Sequence, residues 1–250
     1  MKRTVVIFEK PFAVSVIEEP LPEADAGQVL VRNRMSAISP GTELLVYRGQ
    51  VSDGWPVDST ISSLSGAFGY PLRYGYTAVG QVVVAGPGVD PNWIGRWVFS
   101  FQPHQSHYLA SPSTLIPLPA DINPENALFV PAMETAVNFM MDGQPMIGER
   151  VMVLGQGIIG LLTTALLSRF SLSELVTFDR YAFRRQRSLE VGAHKALEPD
   201  SQGNVGDPNH ILDDEALQGE ADLVYELSGD PAALNQAITF CGFGARIIVG

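Results

Sequence analysis

One cysteine, Cys241, stands in 250 residues, so the chain has no means of forming an internal disulfide or a cysteine-built metal cluster. Cys241 lies in an apolar stretch and is most simply a small buried hydrophobe. Positive charge is also short. The 16 Lys and Arg against 27 Asp and Glu leave a net charge of −11, which argues against wholesale attraction to nucleic acid or to an anionic membrane. No uninterrupted apolar run reaches the roughly 18 residues that a bilayer crossing needs. The opening apolar run after Lys2 and Arg3 is closed by Glu9 and Lys10, too early for a signal peptide. These absences leave a soluble cytoplasmic protein as the expectation, with neither nucleic acid nor membrane as partner.

What is present begins with a hydrophobic fraction of 46%, enough for substantial cores in one or two domains. The chain is organised around Val151-Met152-Val153-Leu154-Gly155-Gln156-Gly157-Ile158-Ile159-Gly160. An apolar strand there breaks into a glycine-spaced turn and continues as a helix. In a dinucleotide fingerprint Gly155 makes the turn, Gly157 lets backbone approach a pyrophosphate, and Gly160 lets helix pack on strand. The helix N-terminus then offers unpaired N–H groups to the anion. Glycine spacing alone is weak evidence, but the context supports it. The apolar helix from Ile158 is followed by a second strand, Leu175 to Phe178, which ends in Asp179, 19 residues beyond Gly160. A ribose diol needs a carboxylate acceptor at about that distance.

Before this stretch the pattern is β-rich. Val5 to Phe8, Ala13 to Glu18, Gln28 to Met35, Tyr76 to Ala85, Arg96 to Phe101, Tyr108 to Ala110 and Thr114 to Pro117 read as short strands between proline and glycine breaks. Ser39-Pro40-Gly41-Thr42-Glu43 opens a short helix reaching about Tyr47. Val51 to Tyr74 lacks periodicity and is expected as a long surface segment. Asn123-Pro124 caps a helical stretch, Ala127 to Met141, interrupted near Pro131. Gly143-Gln144-Pro145 marks the domain boundary. Beyond it strands and helices alternate, with helices Tyr181 to Val191 and Pro231 to Phe240, strands near Lys195 to Leu197, Leu223 to Leu227 and Arg246 to Val249, and a polar loop from Glu198 to Asn209. That alternation implies a parallel sheet.

The elements Ser39-Pro40-Gly41-Thr42-Glu43, Gly75-Tyr76-Thr77-Ala78-Val79-Gly80, Glu134-Thr135-Ala136 and Gly155-Gln156-Gly157-Ile158-Ile159-Gly160 resemble the medium-chain dehydrogenase/reductase superfamily. That superfamily includes the zinc alcohol dehydrogenases and the quinone reductases. The Ser-x-Gly-Thr-Glu element is most similar to a branch that includes bacteriochlorophyllide dehydrogenases. The resemblance runs from about Thr4 to the last residue. It implies an α/β protein with a GroES-like β-rich substrate domain, residues 1–144, followed by a Rossmann dinucleotide-binding domain, residues 145–250. It also implies hydride transfer between a nicotinamide and a small alcohol, carbonyl or activated alkene. Complete members exceed 300 residues, so the sixth strand, which often carries the family's homodimer contact, is expected to be absent. Activity and dimerisation are discounted accordingly.

The resemblance departs at the metal. Zinc members place cysteine, histidine and cysteine or glutamate where this chain has Ser39 or Pro40, then Tyr76 and Thr77, then Val130 or Pro131. None is a usual zinc ligand. The four-cysteine structural zinc lobe is absent as well. A substitute set, His104 and His107 with Glu134, is conceivable, but His-x-x-His outside a helix does not place both rings on one face. Zinc is therefore not expected. Polarising a carbonyl then falls to hydroxyl donors. Thr42 stands at the family's proton-relaying hydroxyl and Tyr76 at a former ligand position, although a capping threonine and a packed tyrosine would leave the same sequence. By resemblance, Thr135 and Ser228 also touch the cofactor, alongside Gly155, Gln156, Gly157, Ile158 and Gly160. Asp179 favours NAD, since a carboxylate accepts from the ribose hydroxyls and repels a 2′-phosphate. Arg180 and Arg184 keep NADP open. Two further readings remain: a nucleotide-binding sensor or partner-binding module without turnover, and a zinc alcohol dehydrogenase with rearranged ligands.

Overall fold

A computed structural model describes residues 2–58, 61–199 and 221–250. Its contacts divide the chain into two compact units, Met1–Val130 and Pro131–Gly250.

The first unit is built from β strands. β1 (Lys2–Lys10) and β2 (Ala13–Pro20) form an antiparallel hairpin. A five-stranded antiparallel sheet follows, made by β3 (Val29–Ser36), β4 (Ala78–Ala85), β5 (Trp97–Ser100), β6 (His107–Ala110) and β7 (Ile116–Pro117) in the order β6-β3-β4-β5-β7. Alternation along these strands sends Val29, Val31, Ala78, Val82, Val98 and Tyr108 into one core, as a period of two demands when one face is covered. The buried Tyr108 hydroxyl is satisfied by Ser100 at 2.6 Å. Burial pushes that phenol up to about 12, against which the Ser100 hydrogen bond acts.

Helix α1 (Thr42–Arg48) begins at Gly41 and closes on Gly49 in the left-handed region, φ 69°. The segment between α1 and β4 differs from expectation. Leu64 and Tyr74 are 5% and 4% exposed and pack with Phe8 and Val46, with Phe68, Tyr70 and Tyr76 alongside. Its aromatic residues make it a small core of its own, where low periodicity suggested surface.

The expected interruption near Pro131 is a change of helix type, since a 3-10 segment over Pro124–Phe129 gives way there to an α-helix. α2 runs unbroken over Val130–Gly143, and Pro131 falls in its first turn, where no N–H is required. The contact division accordingly falls at Val130/Pro131 and not at residue 144: Phe139 and Met140 of α2 pack on the core of the second unit. Strands β8 (Arg150–Leu154), β9 (Glu174–Phe178), β10 (Lys195–Leu197), β11 (Ala221–Glu226) and β12 (Cys241–Val249) form a parallel sheet ordered β10-β9-β8-β11-β12. Helices α3 (Ile158–Leu167), α4 (Ala182–Glu190) and α5 (Pro231–Phe240) connect them.

This is the expected Rossmann arrangement, with buried strands reading as continuous apolar runs. Met152, Leu154, Val176 and Phe178 meet Ala237 and Phe240 of α5 on one face. Val151, Val153 and Leu175 meet Leu167 of α3 on the other. β12 begins at Cys241, five residues earlier than the sequence pattern indicated. Cys241 is half-buried, and its thiol, pushed up by burial, donates to Ala237 O at 3.2 Å. The expected polar loop from Glu198 lies, from residue 200 onward, outside the described residues. Strand order reverses between β8 and β11, so the C-terminal ends of these two strands form the switch point at which open α/β sheets take ligands.

Candidate functional site

The turn after β8 meets the turn after β11 at this switch point. Gly155 has φ 87°, and a Cβ there would come within 2.6 Å of the Ser228 backbone. Gly160 is tighter still, since its Cβ would lie 1.9 Å from the Gly155 carbonyl oxygen. Both glycines are demanded by the fold itself. Gly157 is different. It precedes α3 with φ −71°, and a Cβ there would meet nothing within 4 Å. The space above it is open, beside a helix start that no side chain caps. Ile158, the first residue of α3, is 41% exposed.

Gln156 turns inward. It is fully buried, its amide donates to the carbonyls of Gly155 and Val153, and its Oε1 accepts from Thr164 Oγ1 at 3.1 Å. Its role is to fill the inside of the turn, a task that motif spacing does not reveal. Its backbone N–H donates to Asp179 Oδ2 at 2.8 Å, and Tyr181 N–H donates to Asp179 Oδ1 at 2.8 Å. The carboxylate at the end of β9, 6% exposed, is thereby fixed beside the glycine turn. Arg184 approaches Oδ2 at 3.5 Å while its guanidinium stacks on the Tyr181 ring at 4.9 Å. Arg180 is more exposed and reaches Asp230 at 3.5 Å. Arg185, which the sequence shows only as part of the basic cluster after Asp179, donates to the Asp179 and Arg180 carbonyls and pairs with Glu198. Only its place in a run of arginines could have hinted at it.

Ser228 is occupied locally. Its N–H and hydroxyl both donate to the buried Glu226, and its Oγ accepts from Asp230 N–H. The Thr135 hydroxyl donates to the Pro131 carbonyl within α2, at 3.1 Å.

On the first unit, Thr42 is exposed at the start of α1, and its hydroxyl does not cap that helix. Tyr76 is half-buried, its ring 6.3 Å from Tyr74. Burial first, then Tyr76, Glu43 and Asp58, push the Tyr74 phenol up to about 12. Both ring nitrogens of His104 are engaged, with Glu43 at 2.7 Å and Ser36 at 2.9 Å. His107 faces Ser106 through Nδ1, and its Nε2 is buried without a partner. Glu134 belongs to the second unit. Among the described residues no group of three or more His, Cys, Asp or Glu is placed to hold a metal. Pro40, Tyr76 and Val130 do not offer the thiolate, imidazole or carboxylate that tetrahedral zinc takes.

The chain is similar over nearly its whole length to known proteins. It is 24% identical to L-threonine 3-dehydrogenase of Bacillus subtilis, with 94% of this chain and 72% of that protein covered. The starvation-sensing protein RspB of Escherichia coli K12 is 22% identical, with 98% and 75% covered. These relatives agree with the resemblance to the medium-chain dehydrogenase/reductase superfamily that the motifs carry. That its relatives are dehydrogenases supports an oxidoreductase. No protein-family model matches the chain. The solved structure of the E. coli CFT073 RspB dehydrogenase, complexed with NADH, superposes with a TM-score of 0.77 at 21% identity, covering 99% of this chain and 76% of that one. A Sinorhizobium meliloti protein described as a zinc-binding dehydrogenase, bound to NADP, superposes at 0.79 with 20% identity, covering all of this chain and 76% of that one. These likenesses establish the GroES-like and Rossmann fold. Among the described residues no helix is long and apolar enough to cross a membrane.

Proposed function

We propose that the chain is a zinc-independent, nicotinamide-dependent oxidoreductase acting on a small alcohol, carbonyl or activated alkene, with NAD preferred over NADP. The observation that carries the cofactor reading is the pairing of open space over Gly157 with the fixed Asp179 carboxylate. A pyrophosphate needs close backbone approach and free N–H groups at a helix start. A ribose diol needs an acceptor beside them. Both are present, so the residues fit a dinucleotide. Gly155, Gly157, Ile158 and Gly160 would form the pyrophosphate cradle, and Asp179 would take the ribose. Gln156 holds the turn from within; Ser228, whose backbone abuts Gly155, would border the site, and Thr135 would touch the cofactor as the resemblance implies, their hydroxyls being engaged locally.

Each Asp179 oxygen accepts one backbone N–H and keeps lone pairs for a hydroxyl. That favours a free 2′-hydroxyl over a phosphate, which the carboxylate would repel. Arg184, held by its stack on Tyr181, would screen part of this repulsion and leave NADP a weaker ligand. When bound, the nicotinamide supplies or accepts the hydride. The chain's own share is to orient the substrate and to hold a proton donor where oxyanion charge develops. Thr42, whose hydroxyl caps no helix, and Tyr76 are the donors offered.

Zinc independence rests on Pro40, Tyr76 and Val130, none of which coordinates zinc. Fluorescence titration with NADH and NADPH, for wild type and Asp179→Ala, tests the cofactor reading. Equal and unmeasurable binding of both would overturn it. Turnover of an aldehyde, ketone, quinone and enone panel, unchanged by chelator and with no stoichiometric zinc by elemental analysis, tests the chemistry. Binding of NADH with no turnover would favour a nucleotide-binding sensor.

A further inference from the structure

The first unit contains a buried polar pair that the motifs do not account for. Glu43 and His104 are 2% and 6% exposed, with Oε2 and Nε2 2.7 Å apart across 61 residues of sequence. The other Glu43 oxygen accepts the Ser39 N–H at 2.9 Å, and His104 Nδ1 lies 2.9 Å from Ser36 Oγ. The His104 N–H donates to the Tyr74 carbonyl at 3.2 Å. The ring lies against Gly75, where a Cβ would approach Nε2 to 2.7 Å. Gly75 has φ 116°, so both its conformation and its neighbour demand glycine.

Burying a carboxylate and an imidazole is costly unless each is hydrogen-bonded. Here every side-chain oxygen and ring nitrogen of the pair has a partner, so the arrangement has little freedom to shift. It ties together the end of β3, the start of α1, the 74–76 segment and the turn before β6. Two of those segments carry the hydroxyl candidates. Thr42 is the residue before Glu43, and Tyr76 is the residue after Gly75.

We propose that Glu43 and His104 are the positioning residues of the substrate-side site. They hold the Thr42 hydroxyl and the Tyr76 phenol in fixed register, so that a buried hydrogen-bonded pair organises the donors without a metal. The proposal rests on the oxidoreductase reading above.

The test uses the full chain, NADH, and whichever panel compound gives the fastest NADH oxidation. His104→Ala and Glu43→Gln are expected to lower kcat about 10–100-fold, the scale on which displacing a reacting group by about 1 Å acts. The NADH Kd, set in the other unit, is expected to stay at the wild-type value. His104→Gln keeps a donor toward Glu43 and is expected to recover part of the loss. A pair that merely stabilised the fold would lower Tm and leave kcat per folded molecule unchanged, so a folded His104→Ala with wild-type kcat overturns the proposal. If His104→Ala does not fold, Ser36→Ala and His104→Gln carry the test, and wild-type kcat in both overturns it. NADH binding with no turnover of any panel compound removes the oxidoreductase reading and the positioning role with it. Absence of NADH binding removes the cofactor assignment.

Discussion

The glycine turn of the second unit and the Glu43–His104 cluster of the first each hold a buried carboxylate by hydrogen bonds, yet they are specified over different distances. In the turn, the hydrogen bond that fixes the carboxylate runs from Gln156 N–H to Asp179, 23 residues apart. In the cluster, His104 reaches back 61 residues to Glu43 and 68 to Ser36. The first arrangement is dictated by backbone geometry, because residues with a Cβ cannot occupy Gly155 or Gly160. The second is dictated by side chains that meet only after β3, β4 and β6 have paired. One is a local property of the chain, the other a product of the whole unit.

The comparison can be broken most sharply at Gly160. Gly160→Ala drives a Cβ into the Gly155 carbonyl. The cost is expected to be on the order of 4 kcal/mol or more, in the range reserved for severe overlap, and is measured by denaturant unfolding together with loss of NADH binding. Gly157→Ala is the counterpart. Its Cβ meets only open space, so unfolding stability should stay within about 0.5 kcal/mol while NADH titration shows a large loss of affinity. A stable Gly160→Ala, or a Gly157→Ala that binds NADH normally, would dissolve the distinction.

Next in size is Asp179→Ala. Removing a charged acceptor of two ribose hydroxyls should weaken NADH binding about 10–100-fold, from roughly 1.5–3 kcal/mol for such bonds, with NADPH affected less. A smaller effect probes the first unit. Glu43→Gln removes one of the charges that raise the Tyr74 phenol, so its titration, followed by phenolate absorbance, should move below about 12 while burial keeps it elevated.

The smallest effect lies at the surface of the hairpin. The Arg73 guanidinium, joined by Arg3, holds the Glu19 carboxyl below its ordinary value, against a desolvation that raises it. A lowered carboxylate stabilises the fold above its unfolded range and loses that contribution as pH falls through the folded value. Glu19→Gln should therefore cost roughly 0.5 kcal/mol at neutral pH, with the difference from wild type vanishing in acid.

What the sequence disclosed follows the same division. The alternating strands and helices after Val151, the turn and the position of Asp179 were legible because each depends on periodicity or on a backbone conformation that only glycine supplies. The break near Pro131 was legible from the proline, while the kind of break, a 3-10 segment passing into α2 at Val130, was not. The 51–74 segment looked like surface because its buried side chains follow no period, only the shape of the aromatic cluster around Tyr74. His104 offered no local sign of its partner, and an isolated loop histidine is indistinguishable in sequence from a buried, paired one. Gln156 lay within a legible motif, but its inward orientation depends on Thr164, eight residues further on.

The open space over Gly157 gives a way to separate two kinds of selection acting on one motif. A library sorted only for folded protein should retain glycine at 155 and 160 and let position 157 fill with other residues. The same library sorted for nucleotide capture should retain all three. The difference in tolerance at that single position would record how strongly a binding requirement, distinct from the requirement to fold, has acted on the turn.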